Sequence, residues 1–130
     1  MESIRNKVQL IGNTGKDPIL KEFDNGRKKT TISMATSQYY KDANGQFQTN
    51  TQWHNIIAWG AMAEALHNKV KKGDHLIIAG SIQYRSYEDN TGTTRYITEI
   101  VTNSFMKTTK DRANEDAIKM EKERLATAAI

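Results

Sequence analysis

Thr51-Gln52-Trp53-His54-Asn55-Ile56-Ile57-Ala58-Trp59-Gly60 carries both tryptophans of the chain, six residues apart, inside one β-prone segment. Side chains alternate between the faces of a strand, so Trp53, Asn55, Ile57 and Trp59 are expected on one face and His54, Ile56 and Ala58 on the other. At ~3.3 Å per residue the two indoles would stand roughly 20 Å apart. That is too far for them to pack on each other, but a good spacing for separate platforms on which unpaired bases could stack.

A tryptophan in a small domain is more often a core anchor than a ligand contact. Here the opposite face already offers Ile56 and Ala58 to a core. Burying the tryptophan face as well would need cover on both sides of the strand, which a small antiparallel domain seldom provides. The tryptophan face is therefore expected to be open.

The rest of the composition narrows the chemistry. A chain of 130 residues with 37% hydrophobic content suits one domain with one modest core. The absence of cysteine removes disulfides, thiolate metal sites and thiol nucleophiles. His54, His67 and His75 fall in different predicted elements without metal-ligand spacing, so no metal or cofactor is expected. Glu64, Asp74, Glu88 and Asp89 lie on a predicted helix, a turn and a hairpin without converging, and no catalytic residue is expected. The sequence has neither the apolar run of a signal peptide nor one long enough to span a membrane, so the expected location is cytoplasmic. The net charge of +4 and pI near 9.3 favour an acidic partner. The cationic excess belongs mainly to residues 1–106, and it is modest, so affinity would have to lean on stacking as well as on phosphate contacts.

Around the tryptophan segment the chain reads as strands punctuated by turns. Lys7 to Gly12 predicts a first strand, broken at Asn13 to Pro18. Ile19 to Phe23 leads into the hairpin signal Asp24-Asn25-Gly26, and Thr30 to Ser37 is the returning strand. Tyr39 to Phe47 is polar and glycine-bearing, as in an exposed loop or hairpin tip. After Gly60, Met62, Leu66 and Val70 predict a short amphipathic helix that stops at Lys71-Lys72-Gly73. Leu76 to Ile82 is a buried strand, Tyr84 to Gly92 a polar hairpin, and Arg95 to Val101 a closing strand. Apart from the short Ile19 to Phe23 segment, three strands, a helix and two strands is the element order of an all-β, five-stranded Greek-key barrel of the oligonucleotide-binding (OB) kind.

Asn6-Lys7-Val8, Leu10-Ile11-Gly12-Asn13, Gly15, Asp17-Pro18, Trp53-His54, Trp59-Gly60, Lys72-Gly73, Gly80, Asp89, Gly92, Arg95-Tyr96 and Thr98-Glu99-Ile100-Val101 together resemble the bacterial single-stranded DNA-binding protein family. The likeness covers about residues 4–106 and rests on the joint spacing of these motifs. It implies a homotetramer that binds single-stranded DNA without strong sequence preference and protects it during replication, recombination and repair, associated with the nucleoid. It also implies bases stacked on Tyr40, Trp53, Trp59 and Tyr87, with phosphates met by Lys7, Lys72, Arg85 and Arg95. The tyrosines stand where well-known members have tryptophan, and Asn55, Ala61 and Gln83 where they have Arg or Lys, so weaker stacking and fewer phosphate contacts should follow. Lys28, Lys29 and Lys71 are expected to be solvated surface. His54, whose family counterpart lies near a subunit contact, is expected to be structural.

The division expected is a DNA-binding barrel over residues 1–106 and a charged tail over 107–130. The tail has good helix formers but lacks the family's acidic run and aromatic tip. It is either a shortened or a naturally tailless form, and it is not expected to recruit repair proteins as the acidic tip does.

Overall fold

The computed structural model describes residues 4–108 and 119–125. The elements are β1 (Val8–Thr14), β2 (Ile19–Glu22), β3 (Lys28–Lys41), β4 (Phe47–Trp59), α1 (Gly60–Lys69), β5 (His75–Glu88) and β6 (Thr94–Thr108). The sheet runs β1-β5-β6-β4-β3, and β1 returns to β3 through Asn13↔Ala35 and Thr14↔Met34, closing a five-stranded barrel. The short β2 hairpins onto the outside of β3. β4 and β6 run parallel, and the other ladders are antiparallel. This is the expected OB barrel. Closure needs a close approach at Gly12, where a Cβ would overlap the Ala35 carbonyl.

Ile32, Met34, Ile56, Ala58, Leu76, Ile78 and Ile100 fill the barrel from alternate positions of β3, β4, β5 and β6. α1 contributes Ala63 and Leu66 to the same core and is followed by the buried Val70. Thr30 Oγ1 donates to the Ala63 carbonyl at 2.6 Å, which satisfies a hydroxyl that has left water and fixes the helix on β3.

The three hairpin tips share one design. In Phe23–Arg27, Asp42–Gln46 and Asp89–Thr93 the first and fifth residues are joined by a backbone hydrogen bond, and the fourth is a glycine whose N–H donates to the first carbonyl. Those glycines have φ of 83°, 80° and 78°, a region that costs a residue with a Cβ about 1–2 kcal/mol. In the second and third tips the first residue is an aspartate whose carboxylate accepts two backbone N–H groups of the turn. In the first tip that place belongs to Phe23.

Two expectations change. The hairpin tip expected over Tyr39 to Phe47 is narrower, because β3 and β4 continue as a two-stranded arm to Lys41↔Phe47 and the turn itself is Asp42–Gln46. Ile57 is as fully buried as Ile56, although it lies on the tryptophan face. On the same face an ion pair spans β4, Lys29 on β3 reaching Glu99 on β6 at 3.8 Å.

Beyond the barrel, residues 119–125 are helical. The remainder of the expected tail lies outside the described residues.

Candidate nucleic-acid interface

Paired residues in a ladder share a face, so the outer face can be followed across four strands. Ala35, Ser33, Thr31 and Lys29 stand beside Trp53, Asn55, Ile57 and Trp59. Asn55 and Ile57 stand beside Glu99 and Val101. Glu99, Ile97 and Arg95 in turn stand beside Gln83, Arg85 and Tyr87. Trp53, Trp59, Tyr87, Lys29, Arg85 and Arg95 therefore occupy one continuous surface. Tyr40 does not. It pairs with Gln48, out of phase with Trp53, and alternation turns it to the reverse face of the β3–β4 arm, where its ring is exposed.

Trp53 is 62% exposed, and its six-membered ring lies against the backbone of Gly15, where a Cβ would sit 2.5 Å from Cζ3. The Gly15 turn is tied down on two sides. Gly15 N–H donates to the Ser33 carbonyl at 2.9 Å, and Asp17 Oδ1 accepts the Lys72 N–H at 2.8 Å. The Asp17-Pro18 motif thus anchors the loop of Lys72 beside the turn that seats Trp53.

Trp59 is half-buried. Phe23 stacks on it with centroids 6.0 Å apart and planes 29° apart, the Arg27 guanidinium lies 4.3 Å from its ring centre, and Lys29 Nζ lies 5.4 Å away. Lys21 Nζ lies 4.9 Å over Phe23. Such contacts are cation–π attractions, and they surround Trp59 with charges of the sign that phosphates seek.

Two of the expected cations, Arg85 and Arg95, are engaged within the protein. Arg85 makes a two-pronged pair with Glu99, Nε to Oε1 at 2.6 Å and Nη2 to Oε2 at 3.2 Å, and its guanidinium lies 5.8 Å from the Tyr87 ring centre. Burial pushes the Glu99 carboxyl up, but the Arg85 hydrogen bonds, the charges of Lys29 and Arg85 and a hydrogen bond from Gln83 outweigh it and hold it below the usual value. The same hydrogen bond raises Arg85. Arg95 Nε donates to Asp89 Oδ2 at 2.9 Å. With the Thr91 hydroxyl donating to it as well, Asp89 falls to about 2. Lys7 is exposed, next to Asn6, whose side-chain amide exchanges two 2.9 Å hydrogen bonds with the Ile82 backbone. His54 Nε2 lies 2.8 Å from Thr36 Oγ1 on the reverse face.

A family model described as the single-strand binding protein family matches residues 5–108, from before β1 to the end of β6. The chain belongs to that family. It is 44% identical over 97 residues to single-stranded DNA-binding protein 1 of Chlorobaculum tepidum, covering 74% of this chain and 60% of that protein. It is 45% identical over 114 residues to the single-stranded DNA-binding protein of Bacteroides thetaiotaomicron, covering 86% of this chain and 71% of the relative. The chain thus spans less than two thirds of the length of the Chlorobaculum relative. Among solved structures it resembles the Plasmodium falciparum SSB complex with ssDNA, with a TM-score of 0.74 and 27% identity, covering 84% of this chain and 99% of the other.

In this single-strand binding family member, the sequence reading missed the setting of Trp59. Phe23 and Arg27 belong to the first hairpin tip, and only the turn itself, Asp24-Asn25-Gly26, was legible. Lys29, expected as solvated surface, is 17% exposed at its side chain and bonded to Glu99. Lys28, expected alike, pairs with Glu64 on α1. Glu99, in sequence no more than one residue of the Thr98-Glu99-Ile100-Val101 motif, is the charged centre of the face.

Proposed function

We propose that this chain binds single-stranded DNA without strong sequence preference, by aromatic stacking supported by cations, and so keeps exposed strands protected during replication, recombination and repair. The observation that carries this reading is the unbroken face on which Trp53, Trp59 and Tyr87 alternate with Lys29, Arg85 and Arg95. A base has a π-face whatever its identity, so such platforms bind without reading sequence. Of the proposed contacts, Trp53, Trp59 and Tyr87 stack on this face. Tyr40 meets strand that passes around the β3–β4 arm. Lys7, Lys72 and Arg95 meet phosphates.

The role is equilibrium binding, without a chemical step. Three of the four carboxylates that could suggest a nuclease have structural partners: Glu64 pairs with Lys28, Asp74 with Lys107, and Asp89 with Arg95 and its own turn. Among the described residues no helix is long and apolar enough to cross a membrane, and the reading places the protein in the cytoplasm with the nucleoid. The barrel is the working unit, and the tail beyond it is not needed for binding DNA. Subunits associate as a tetramer, with β1 as a pairing edge.

Titration of intrinsic fluorescence with poly-deoxythymidine tests the reading. Quenching of the tryptophan signal is expected, with affinity falling on a log–log salt plot by about 0.7 per phosphate neutralised. No quenching, or tighter binding of matched RNA than of DNA, would overturn it.

A further inference from the structure

Glu99 is an anion at the centre of a face built to meet an anion. Its residue is 2% exposed, and its two oxygens take up Arg85 by two hydrogen bonds, Lys29 at 3.8 Å and Gln83 at 3.4 Å. Both cations also touch aromatic platforms, Arg85 at Tyr87 and Lys29 at Trp59. One carboxylate therefore links the two ends of the surface.

Resting on the single-stranded DNA reading above, we propose that Glu99 is a positioning residue: it withholds Arg85 and Lys29 from phosphates and fixes them instead as the edges of the Tyr87 and Trp59 stacking platforms. The physical reason is an asymmetry of solvation. A phosphate on a bound strand stays partly in water, so its exchange of counterions for Arg85 gains little net attraction. The Glu99 carboxylate is desolvated, and losing Arg85 would leave a buried charge short of its main partner, a far larger penalty. Arg85 should then stay with Glu99 when DNA binds, presenting its guanidinium plane and the Tyr87 ring as a prearranged pair. The face reaches the strand with two cations fewer than its sequence contains. Its salt dependence should be correspondingly shallow.

The salt slope of poly-deoxythymidine binding separates this from a merely structural role, which would change stability and leave the slope alone. Arg85→Gln and Lys29→Gln should each change the native slope by less than about 0.3. Glu99→Gln keeps the shape and an acceptor but removes the charge. It should steepen the slope by about 0.7 for each cation released, or about 1.4 in all. Arg85→Gln added to Glu99→Gln should then lower the slope by about 0.7. Thermal unfolding of each variant establishes that it is folded. If Glu99→Gln does not fold, the two single cation variants decide the matter alone. A drop of about 0.7 for Arg85→Gln or Lys29→Gln in the native background, or a Glu99→Gln slope equal to the native one, would overturn the proposal. Failure of the unaltered protein to bind DNA would instead overturn the function itself.

Discussion

Trp53 and Trp59 carry the same indole in different settings, and the difference predicts different consequences of removing them. Trp53 rests its six-membered ring against Gly15 and is mostly in water, so Trp53→Ala should cost ~1–3 kcal/mol of DNA binding while the unfolding temperature barely moves. Trp59 also holds Phe23, and Trp59→Ala should lose a similar amount of binding together with about 0.5–1.5 kcal/mol of stability. Fluorescence titration and thermal denaturation of the two variants side by side check the contrast. Unfolding of Trp53→Ala with undiminished binding by its folded fraction would place that ring in the core. Gly15 offers a finer test, because its φ is not in the left-handed region and an added methyl meets only the far end of a side chain. Gly15→Ala should therefore stay within about 0.5 kcal/mol of native stability, yet re-angle the indole and weaken binding. Equal binding by Gly15→Ala would mean that the seat is incidental.

Glycines mark the hairpin tips clearly, so the places where the chain turns were legible in the sequence. The lengths of the arms were not, because Tyr39 to Lys41 and Phe47 to Thr51 lie where few side chains are buried, and no hydrophobic alternation records a strand. Legibility of the site divides in the same way. Trp53 and Trp59 share a face by parity within β4, while Tyr87, Arg85 and Arg95 entered through the family resemblance; that Lys29 reaches Glu99 depends on β4 lying between β3 and β6, which no local pattern contains. The third tip also predicts a pH response. The Asp89 carboxyl is held at about 2 against an ordinary 3.8, so the unfolded chain binds the proton first as pH falls. The stability it gives the hairpin is complete above about pH 4 and is lost as pH drops through 2. Hydrogen exchange at Thr91 and Thr93 should show those amides opening over that interval in the native protein. Asp89→Asn should open them to a pH-independent degree, and a native-like acid response in that variant would assign the transition to another carboxylate.

A single barrel presents only a short track for a strand, so the value of assembly lies in linking several tracks. β1 pairs with β3 only at Asn13 and Thr14 among the described residues, which leaves the Val8 to Ile11 stretch of that edge open to another chain. Beside it the registers set Ile11 next to Ile77 and Ile77 next to Met106, and Ile11 is 50% and Met106 62% exposed. An apolar row next to an open edge is suited to a second copy, which would bury the row and continue the sheet. The helical segment 119–125 borders the same region, for Glu121 and Arg124 line a groove of about 600 Å³ together with Ile11, Gly12 and His75. Light scattering should give a tetramer at micromolar concentration, and Ile11→Lys, which places a charge in the row, should reduce it toward the monomer. Binding then provides the stronger test, because short and long ligands should respond differently. An oligonucleotide that occupies one barrel should bind Ile11→Lys as well as the native protein. Long poly-deoxythymidine, whose second and later contacts are intramolecular in a tetramer, should lose about 10²–10⁴-fold in affinity. Equal loss on both ligands would show that Ile11 supports the barrel itself, and a native protein that scatters as a monomer would remove β1 as an assembly edge.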